Sequence, residues 1–162
     1  MTHSGKRRSM LIVIAVLLGV LAVSSVTIAR DPLRVYQWMY EQTDGRFTWL
    51  GGLPVLLLRT TGRKTGEERT AALVYLRDGG NLVVVASRGG SDRPPRWLLN
   101  IQDHPEVGVQ IGRQRQRMRA RVADSQERAR LWPLVNQNNS NRYDAYQAKT
   151  KRQIPVVILS PF

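Results

Sequence analysis

The chain has 162 residues, with 25 lysines and arginines against 12 aspartates and glutamates, and its formal net charge at pH 7 is +13. This length predicts a single domain with one core, and the excess of positive charge favours an anionic partner. The absence of cysteine excludes disulfides and thiol chemistry, and His3 and His104 supply the only imidazoles, so no metal site is predicted.

An uncharged, largely aliphatic run extends from Met10 to Ala29, directly after Lys6-Arg7-Arg8. A helix that rises ~1.5 Å per residue is long enough over this run to cross a ~30 Å hydrocarbon layer. A removed signal peptide with Thr27-Ile28-Ala29 as its cleavage signal is the alternative. We expect a retained transmembrane anchor over residues 1–30 and a folded domain over residues 31–162.

Charge near the apolar run predicts which side of the membrane holds the domain. Lys6-Arg7-Arg8 favours a cytoplasmic N-terminus and an external domain. The segment Arg7-Arg8-Ser9-Met10-Leu11 weakly resembles the twin-arginine export signal, which would also give an external domain. Arg30, Arg34 and the basic domain beyond them compete for cytoplasmic retention. We therefore expect a single-pass membrane protein whose domain lies on the cytoplasmic face.

Strands dominate the remainder of the chain, with short helices between them. Asp31-Pro32 begins a helix through Glu41, and Pro94-Pro95 begins another through Asp103, which His104-Pro105 ends. Apolar runs and period-two alternation predict six strands. They are Pro54–Thr60, Arg69–Arg77, Asn81–Ser87, Val107–Ile111, Gln114–Ala123 and Ile154–Leu159.

The C-terminal third of the chain adds two helices. Asp124 with Glu127 forms a capping-box pattern that begins a helix through Asn136. A polar loop follows, and Tyr143–Lys149 is predicted as a short second helix. Because no βαβ repeat occurs, the pattern indicates a barrel rather than a doubly wound sheet.

The strand at Gln114–Ala123 contains a row of alternating arginines that point to one side. One interpretation is the solvated outer face of an edge strand, kept soluble by like charges. The alternatives are contact with anionic lipid headgroups or with an anionic ligand. The row consists of Arg113, Arg115, Arg117, Arg119 and Arg121.

The segment Thr60–Gly66 packs two glycines, three hydroxyls and two cations into one turn. Such a turn surrounds an anion well, although an exposed hairpin turn has the same composition. It is not a Walker A motif, because a strand rather than a helix follows it. A second strand end, Ala86–Gly90, again combines a hydroxyl, a cation and a flexible backbone. Two strand ends of this kind favour a phosphorylated ligand.

From about Trp38 to Pro161 the order and spacing of motifs resemble the deazaflavin-dependent nitroreductase family, whose members are split β-barrels that use coenzyme F420. The resemblance implies a mainly β, α+β fold with an FMN-binding-like split β-barrel. The matching pieces are Trp38-Met39-Tyr40, Asp44-Gly45, Leu57–Gly66, Leu76–Gly80, Ala86–Gly90, Trp97 with Asn100, Asn100–Pro105, Glu127-Arg128-Ala129, Trp132-Pro133, Tyr146-Gln147 and Ile154–Val157.

The same resemblance implies roles for individual residues. The cofactor's phosphate and acidic tail would be held by Arg63, Lys64 and Thr65, and the deazaflavin edge would be lined by Ala86, Ser87, Arg88 and Gly89. Trp97 and Asn100 would close the pocket, although a core anchor and a backbone cap are the alternatives for these two. The catalytic candidates are Ser87, Tyr143 and Tyr146. Val74 replaces a tyrosine of the family's second strand, and Ser140 stands near the first tyrosine of its late helix.

The resulting hypothesis is a membrane-anchored F420-dependent reductase that transfers a hydride to a quinone-like or nitroaromatic acceptor. The anchor favours a lipid-phase acceptor such as menaquinone. The alternative is a non-catalytic protein that binds F420 or a fatty acid at the membrane. A nucleic-acid binder is disfavoured, because the arginine row lacks interleaved aromatic residues and no helix-turn-helix, zinc-finger or RRM signature occurs.

Overall fold

A computed structural model of the protein describes residues 37–41, 49–50 and 52–162. The predicted anchor at Met10–Ala29 and the start of the predicted helix at Asp31 lie outside these residues. Residues 37–41 are helical and form α1. Within the described ranges, no helix combines the length and apolar character needed to span a bilayer.

Seven strands and three further helices follow α1 in the described part of the chain. The strands are β1 (Trp49–Leu50), β2 (Leu53–Thr61), β3 (Glu68–Asp78), β4 (Asn81–Val85), β5 (Glu106–Ile111), β6 (Gln114–Val122) and β7 (Val156–Pro161). The helices are α2 (Arg96–Asp103), α3 (Ser125–Asn138) and α4 (Arg142–Gln147), and a 3-10 turn occupies Arg88–Gly90.

The element boundaries differ from the prediction in a few places. β4 ends at Val85 rather than at Ser87, because Ser87 already has helical dihedral angles of φ −76° and ψ −40°. β1 was not predicted, since two residues carry no recognisable period. α3 continues to Asn138, through the start of the predicted polar loop.

Six of the strands close into an antiparallel barrel. The sheet has the order β1-β2-β3-β4-β7-β6-β5, and an additional pairing of β2 with β5 joins its ends. At this closure Arg59 lies opposite Gly108, and a Cβ on Gly108 would stand only 3.3 Å from the Cβ of Arg59. The prediction of a mainly β barrel with short helices is confirmed.

Alternation along β2 divides its side chains between two cores. Leu56 and Leu58 point into the barrel, whereas Val55 and Leu57 point outward and pack beneath Tyr40 of α1. The hydroxyl of Tyr40 accepts a hydrogen bond of 2.6 Å from the backbone N–H of Gly112. Because both faces of this part of β2 are covered, both are apolar. Burial of each such aliphatic side chain contributes ~1.5–3 kcal/mol to the stability of the fold.

The outward faces of β4 and β7 form the floor beneath α3 and α4. Val83 of β4 and Ile158 of β7 contact Leu131 and Val135 of α3 and Tyr143 of α4 in one buried cluster. α3 begins in the predicted capping box, since Asp124 and Glu127 each accept a hydrogen bond from the other's backbone N–H, at 2.8 and 3.0 Å. This packing fixes α4 against the barrel wall.

The interpretation of the arginine row as the face of an edge strand is wrong. β6 pairs with β5 on one side and with β7 on the other, so it is an interior strand of the barrel. Met118 and Ala120 are buried while Arg117, Arg119 and Arg121 are exposed, which confirms the alternation over this part of β6, whereas Arg113 lies in the turn before the strand. The charges are partly balanced by acidic neighbours: Glu106 pairs with Arg117 and Arg119, and Glu127 pairs with Arg121.

Candidate active site

A cleft of about 560 Å³ lies outside the barrel, where β3 faces the 3-10 turn and the helices α2 and α4. It brings together residues that the sequence places far apart. The predicted site residues that line it are Ser87, Arg88, Gly89, Trp97, Tyr143 and Tyr146. Apolar residues such as Leu73, Val74 and Trp97 form much of its lining, which suits a flat, largely hydrophobic ring system.

The β3 wall of the cleft is composed of small and aliphatic side chains. Ala72 and Val74 line the cleft and contact the outer cluster beneath Tyr40. The neighbouring Tyr75 is buried inside the barrel instead, so Val74 and Tyr75 face opposite sides of the strand, as predicted. Val74 therefore stands on the cleft, and no hydroxyl is present at that position.

The loop Ser87–Gly90 has an unusual backbone. Arg88, Gly89 and Gly90 have φ values of 47°, 64° and 86°, all in the left-handed region, and they follow the right-handed Ser87. Successive right- and left-handed residues turn consecutive N–H groups toward one concave side, which forms an anion-binding nest. Within the described part of the chain, the N–H groups of Ser87, Arg88 and Gly89 have no acceptor.

α4 supplies two tyrosines to the cleft. The side chain of Tyr143 is nearly buried, and its ring lies 6.1 Å from that of Tyr146 and 6.2 Å from that of Trp132. Burial raises the pKa of the Tyr143 phenol well above its usual value, and the neighbouring Tyr146 adds to this shift. Tyr143 is therefore a protonated hydrogen-bond donor at any physiological pH.

A polar network from α3 holds α4 in place. The side-chain oxygen of Asn136 accepts hydrogen bonds from the N–H groups of Tyr143 and Asp144, at 2.9 and 3.2 Å. The carboxylate of Asp144 accepts from the indole N–H of Trp132 at 2.7 Å and from the Asn136 amide. The N-cap residue of α4, Asn141, makes no side-chain hydrogen bond to the helix. Asn136 accepts hydrogen bonds from N–H groups in the first turn of α4 in its place.

The residues of the predicted phosphate loop, Arg63, Lys64 and Thr65, are not among those that line the cleft. All three are exposed in the turn between the end of β2 at Thr61 and the start of β3 at Glu68. Gly66 has φ +70°, which favours glycine, whereas Gly62 is crowded: a Cβ there would meet Thr65 Oγ1 at 3.0 Å.

Two other predicted site residues, Asn100 and Ala86, also do not line the cleft. The side-chain oxygen of Asn100 accepts from the N–H of Arg63 at 3.2 Å, and its amide donates to Thr60 Oγ1 at 3.0 Å. Asn100 thus ties the phosphate loop to α2, one turn beyond Trp97. Ala86 is buried in the barrel core, and its carbonyl accepts a hydrogen bond from Arg152.

Sequence reasoning did not find Arg152 or Asn136, because each acts through a contact with a segment distant in sequence. It also omitted Arg142 and Pro95, which line the cleft. For Arg142 a signal existed, since it directly precedes the predicted helix Tyr143–Lys149.

The closed antiparallel barrel, with a cleft on its outer wall beside a turn of backbone donors, defines a split β-barrel oxidoreductase of the deazaflavin-binding class. The profile of the F420H(2)-dependent quinone reductase family matches residues 32–161, and the chain belongs to that family. The F420H(2)-dependent quinone reductase Rv1261c of Mycobacterium tuberculosis is 43% identical over 132 residues, which cover 79% of this chain and 89% of Rv1261c.

Solved structures agree with this assignment. The F420-H2 dependent reductase FDR-A matches with a TM-score of 0.61 and 36% identity over 66% of this chain and 94% of its own. A second structure, described as a domain-swapped dimer, matches with a TM-score of 0.62 and 31% identity over 80% of this chain and 100% of its own. The predicted family, the enzyme class and the cofactor F420 are confirmed.

The cleft fits this cofactor. Ser87 and Tyr143 line the cleft, and their hydroxyl groups have no hydrogen-bond partner among the described residues. Together with the N–H groups of the Ser87–Gly90 loop they offer donors to the carbonyl and phosphate oxygens of a deazaflavin nucleotide. The apolar β3 wall offers a surface for its ring.

Proposed function

We propose that the protein transfers a hydride from reduced F420 to a quinone-like acceptor bound beside it in the cleft, and that this acceptor is a lipid-phase quinone such as menaquinone. The observation that carries the proposal is the meeting of an apolar β3 wall with the donor loop Ser87–Gly90 and the phenols of α4. Reduced F420 supplies the hydride, and a quinone that gains a hydride and a proton becomes a quinol.

The role of Tyr143 follows from its burial. A phenol with a raised pKa is a weak acid, so it loses its proton reluctantly but donates a hydrogen bond at every physiological pH. Such a donor stabilises negative charge that develops on an acceptor oxygen as the hydride arrives. Tyr146 is half-buried beside it and lies nearer to solvent, which suits it to pass a proton inward.

Nitroaromatic compounds form a second acceptor class. The resemblance to the nitroreductase family supports this class, but Val74 stands on the β3 wall where that family has a tyrosine, so this wall lacks a phenol. We expect nitroaromatic turnover to be slow relative to quinone turnover.

Spectroscopy of the full-length protein in detergent tests the proposal. Reduced F420 is added first, then a short-chain menaquinone, and oxidation of the cofactor is followed by its absorbance alongside quinol formation. One quinol for each oxidised cofactor is expected, with turnover by Tyr143→Phe slower than that of the parent. Tight binding without oxidation by any quinone would favour the non-catalytic binding protein instead.

We also propose that residues 1–30 anchor the domain to the cytoplasmic face of the membrane. The support is the apolar run Met10–Ala29, together with two large apolar side chains on α1, Trp38 and Met39, which are 59% and 36% exposed. Protease added to intact cells should leave the domain whole and should digest it once the membrane is opened. Digestion in intact cells would overturn this orientation and would revive the export signal.

A further inference from the structure

Arg152 clamps the back of the Ser87–Gly90 loop. Its Nη2 donates hydrogen bonds to the backbone carbonyls of Ala86 and Ser87, at 3.1 and 2.8 Å, and its Nε donates to the carbonyl of Ser91 at 2.8 Å. All three acceptors belong to one loop, although Arg152 is more than sixty residues away in sequence. The guanidinium therefore spans the two ends of the loop that borders the cleft.

The positive charge of Arg152 has no carboxylate within ion-pair distance among the described residues. The nearby Asp92 instead accepts a hydrogen bond from Thr150 at 2.6 Å. Partial burial lowers the pKa of Arg152, and Asp92 opposes this shift. The charge is compensated mainly by backbone carbonyl dipoles, which is an unusual arrangement for a half-buried cation.

Peptide geometry connects these carbonyls to the cleft. The carbonyl of Ala86 belongs to the same peptide unit as the N–H of Ser87, and the carbonyl of Ser87 to the same unit as the N–H of Arg88. In a trans peptide the N–H points opposite to the C=O, so both N–H groups point away from Arg152. Ser87 and Arg88 line the cleft, whereas Arg152 does not.

We propose that Arg152 is a positioning residue for F420: from behind the loop it holds the Ser87–Gly90 backbone in its donor conformation and polarises the N–H groups of Ser87 and Arg88 toward an anionic or carbonyl oxygen of the cofactor. This inference rests on the proposed function and deepens it. A cation that donates to a carbonyl strengthens the donor at the other end of the same amide. The cation also helps to offset the cost of Arg88, a non-glycine residue with φ 47°.

The first experiment uses the full-length protein without cofactor. The amide proton shifts of Ser87 and Arg88 are recorded for the parent and for Arg152→Gln, which removes the charge and keeps a polar side chain. Both resonances should move upfield in the variant. The matched control is Arg128→Gln, since Arg128 is also a half-buried arginine that donates to a backbone carbonyl, that of Ile154, at 3.1 Å, and does not touch the loop. It should leave both resonances in place.

The second experiment measures the Kd for oxidised F420. Arg152→Gln should bind about tenfold or more weakly, because hydrogen bonds to charged groups are worth about one decade of affinity or more. Millimolar guanidinium should restore part of the lost affinity, and sodium chloride at equal ionic strength should not. Arg152→Lys keeps a charge but not the fork of donors, so it should be intermediate and provides a folded test if the glutamine variant is unstable.

A folded Arg152→Gln protein that binds F420 within about twofold of the parent would overturn the proposal. So would an equal loss of affinity in Arg128→Gln, because the effect would then belong to the fold as a whole. If the parent itself fails to bind F420, the proposed function fails instead, and that result is distinguishable because the amide shifts are measured without cofactor.

Discussion

Gly90 and Tyr146 meet backbone to backbone: a Cβ on Gly90 would stand 2.5 Å from the carbonyl oxygen of Tyr146 and 3.0 Å from the Cβ of Lys149. This approach seats the end of α4 directly on the loop whose N–H groups border the cleft. The donor loop and the helix with the two cleft tyrosines are therefore one packed unit. A change in either is expected to move the other.

Gly90→Ala tests this unit. The substitution adds a clash to a φ of +86°, so we expect the free energy of unfolding to fall by about 2 kcal/mol or more, with weaker binding of F420. Gly79→Ala is the control, because Gly79 has φ +60° but no atom within 4 Å of its Cβ position, and only the backbone strain of about 1 kcal/mol should appear. Denaturant unfolding of both variants checks the difference, and equal losses would contradict the close packing.

The raised pKa of Tyr143 predicts an alkaline loss of stability. Above the ordinary tyrosine value of 10.0, the unfolded chain releases this proton while the folded protein retains it, so the free energy of unfolding falls as pH rises. Tyr143→Phe should reduce that slope. Tyr40→Phe should remove a separate part of the fall in unfolding free energy with pH, because burial also raises the pKa of Tyr40. Unfolding curves across this pH range measure both effects, and an unchanged slope in Tyr143→Phe would be incompatible with a buried phenol.

Arg63 and Lys64 remain the predicted phosphate-binding pair. Both side chains are exposed on a loop that Asn100 fixes to α2, so their attraction for a phosphate and carboxylates should be strong at low salt and screened at high salt. Arg63→Ala with Lys64→Ala should weaken F420 binding at least ~10-fold at moderate ionic strength and flatten its salt dependence. Arg117→Ala with Arg119→Ala removes the same charge from β6 and should have little effect. Parent-like affinity in the first variant would exclude this loop as the phosphate site.

Val74→Tyr should raise turnover with nitroaromatic acceptors, because it adds a phenol to the β3 wall of the cleft. Val74→Phe supplies the same ring without the hydroxyl and separates proton donation from packing. Steady-state rates of the two folded variants provide the measurement. Activity of the tyrosine variant no higher than that of the phenylalanine variant would show that this position supplies no proton.

The lowered pKa of Glu127 predicts that the folded protein loses stability in acid. Its hydrogen bonds with Arg121 and with the backbone N–H of Asp124 lower its pKa from 4.5 to about 2. The stabilisation is therefore complete above pH 4.5 and is lost as pH falls toward 2. Glu127→Gln should remove this part of the acid dependence, as measured by unfolding between these pH values. A variant with the parent's acid profile would assign that dependence to other carboxylates.

The strands could be predicted because their periodicity is local. Asp124 and Glu127 are three residues apart in sequence, so the capping box that begins α3 could be predicted from the sequence. The Gly79-Gly80 turn between β3 and β4 could also be predicted, because the residues that it joins, Asp78 and Asn81, are close in sequence and pair across it. Each of these features depends on residues only a few positions apart in sequence.

The arrangement of the cleft could not be predicted in the same way. Arg152 reaches the Ser87 carbonyl across 65 residues, and its neighbours follow no period that marks a functional position. The exposed, like-charged arginines of β6 are typical of an edge strand, but the order of strands along the chain does not show that β7 lies beside β6. Contacts between segments distant in sequence decide both cases, a side-chain hydrogen bond in the first and a strand pairing in the second.

β7 lies between β4 and β6, so the barrel's final strand is hydrogen-bonded on both sides to strands made much earlier. During synthesis the nascent chain therefore carries two open strand edges, at β4 and β6, until residue 161 has been added. Arg152 belongs to the segment just before β7, so the clamp on the donor loop also arrives late. A chain interrupted before residue 152 therefore keeps two unpaired strand edges, which favour aggregation, and lacks the arginine that holds the donor loop.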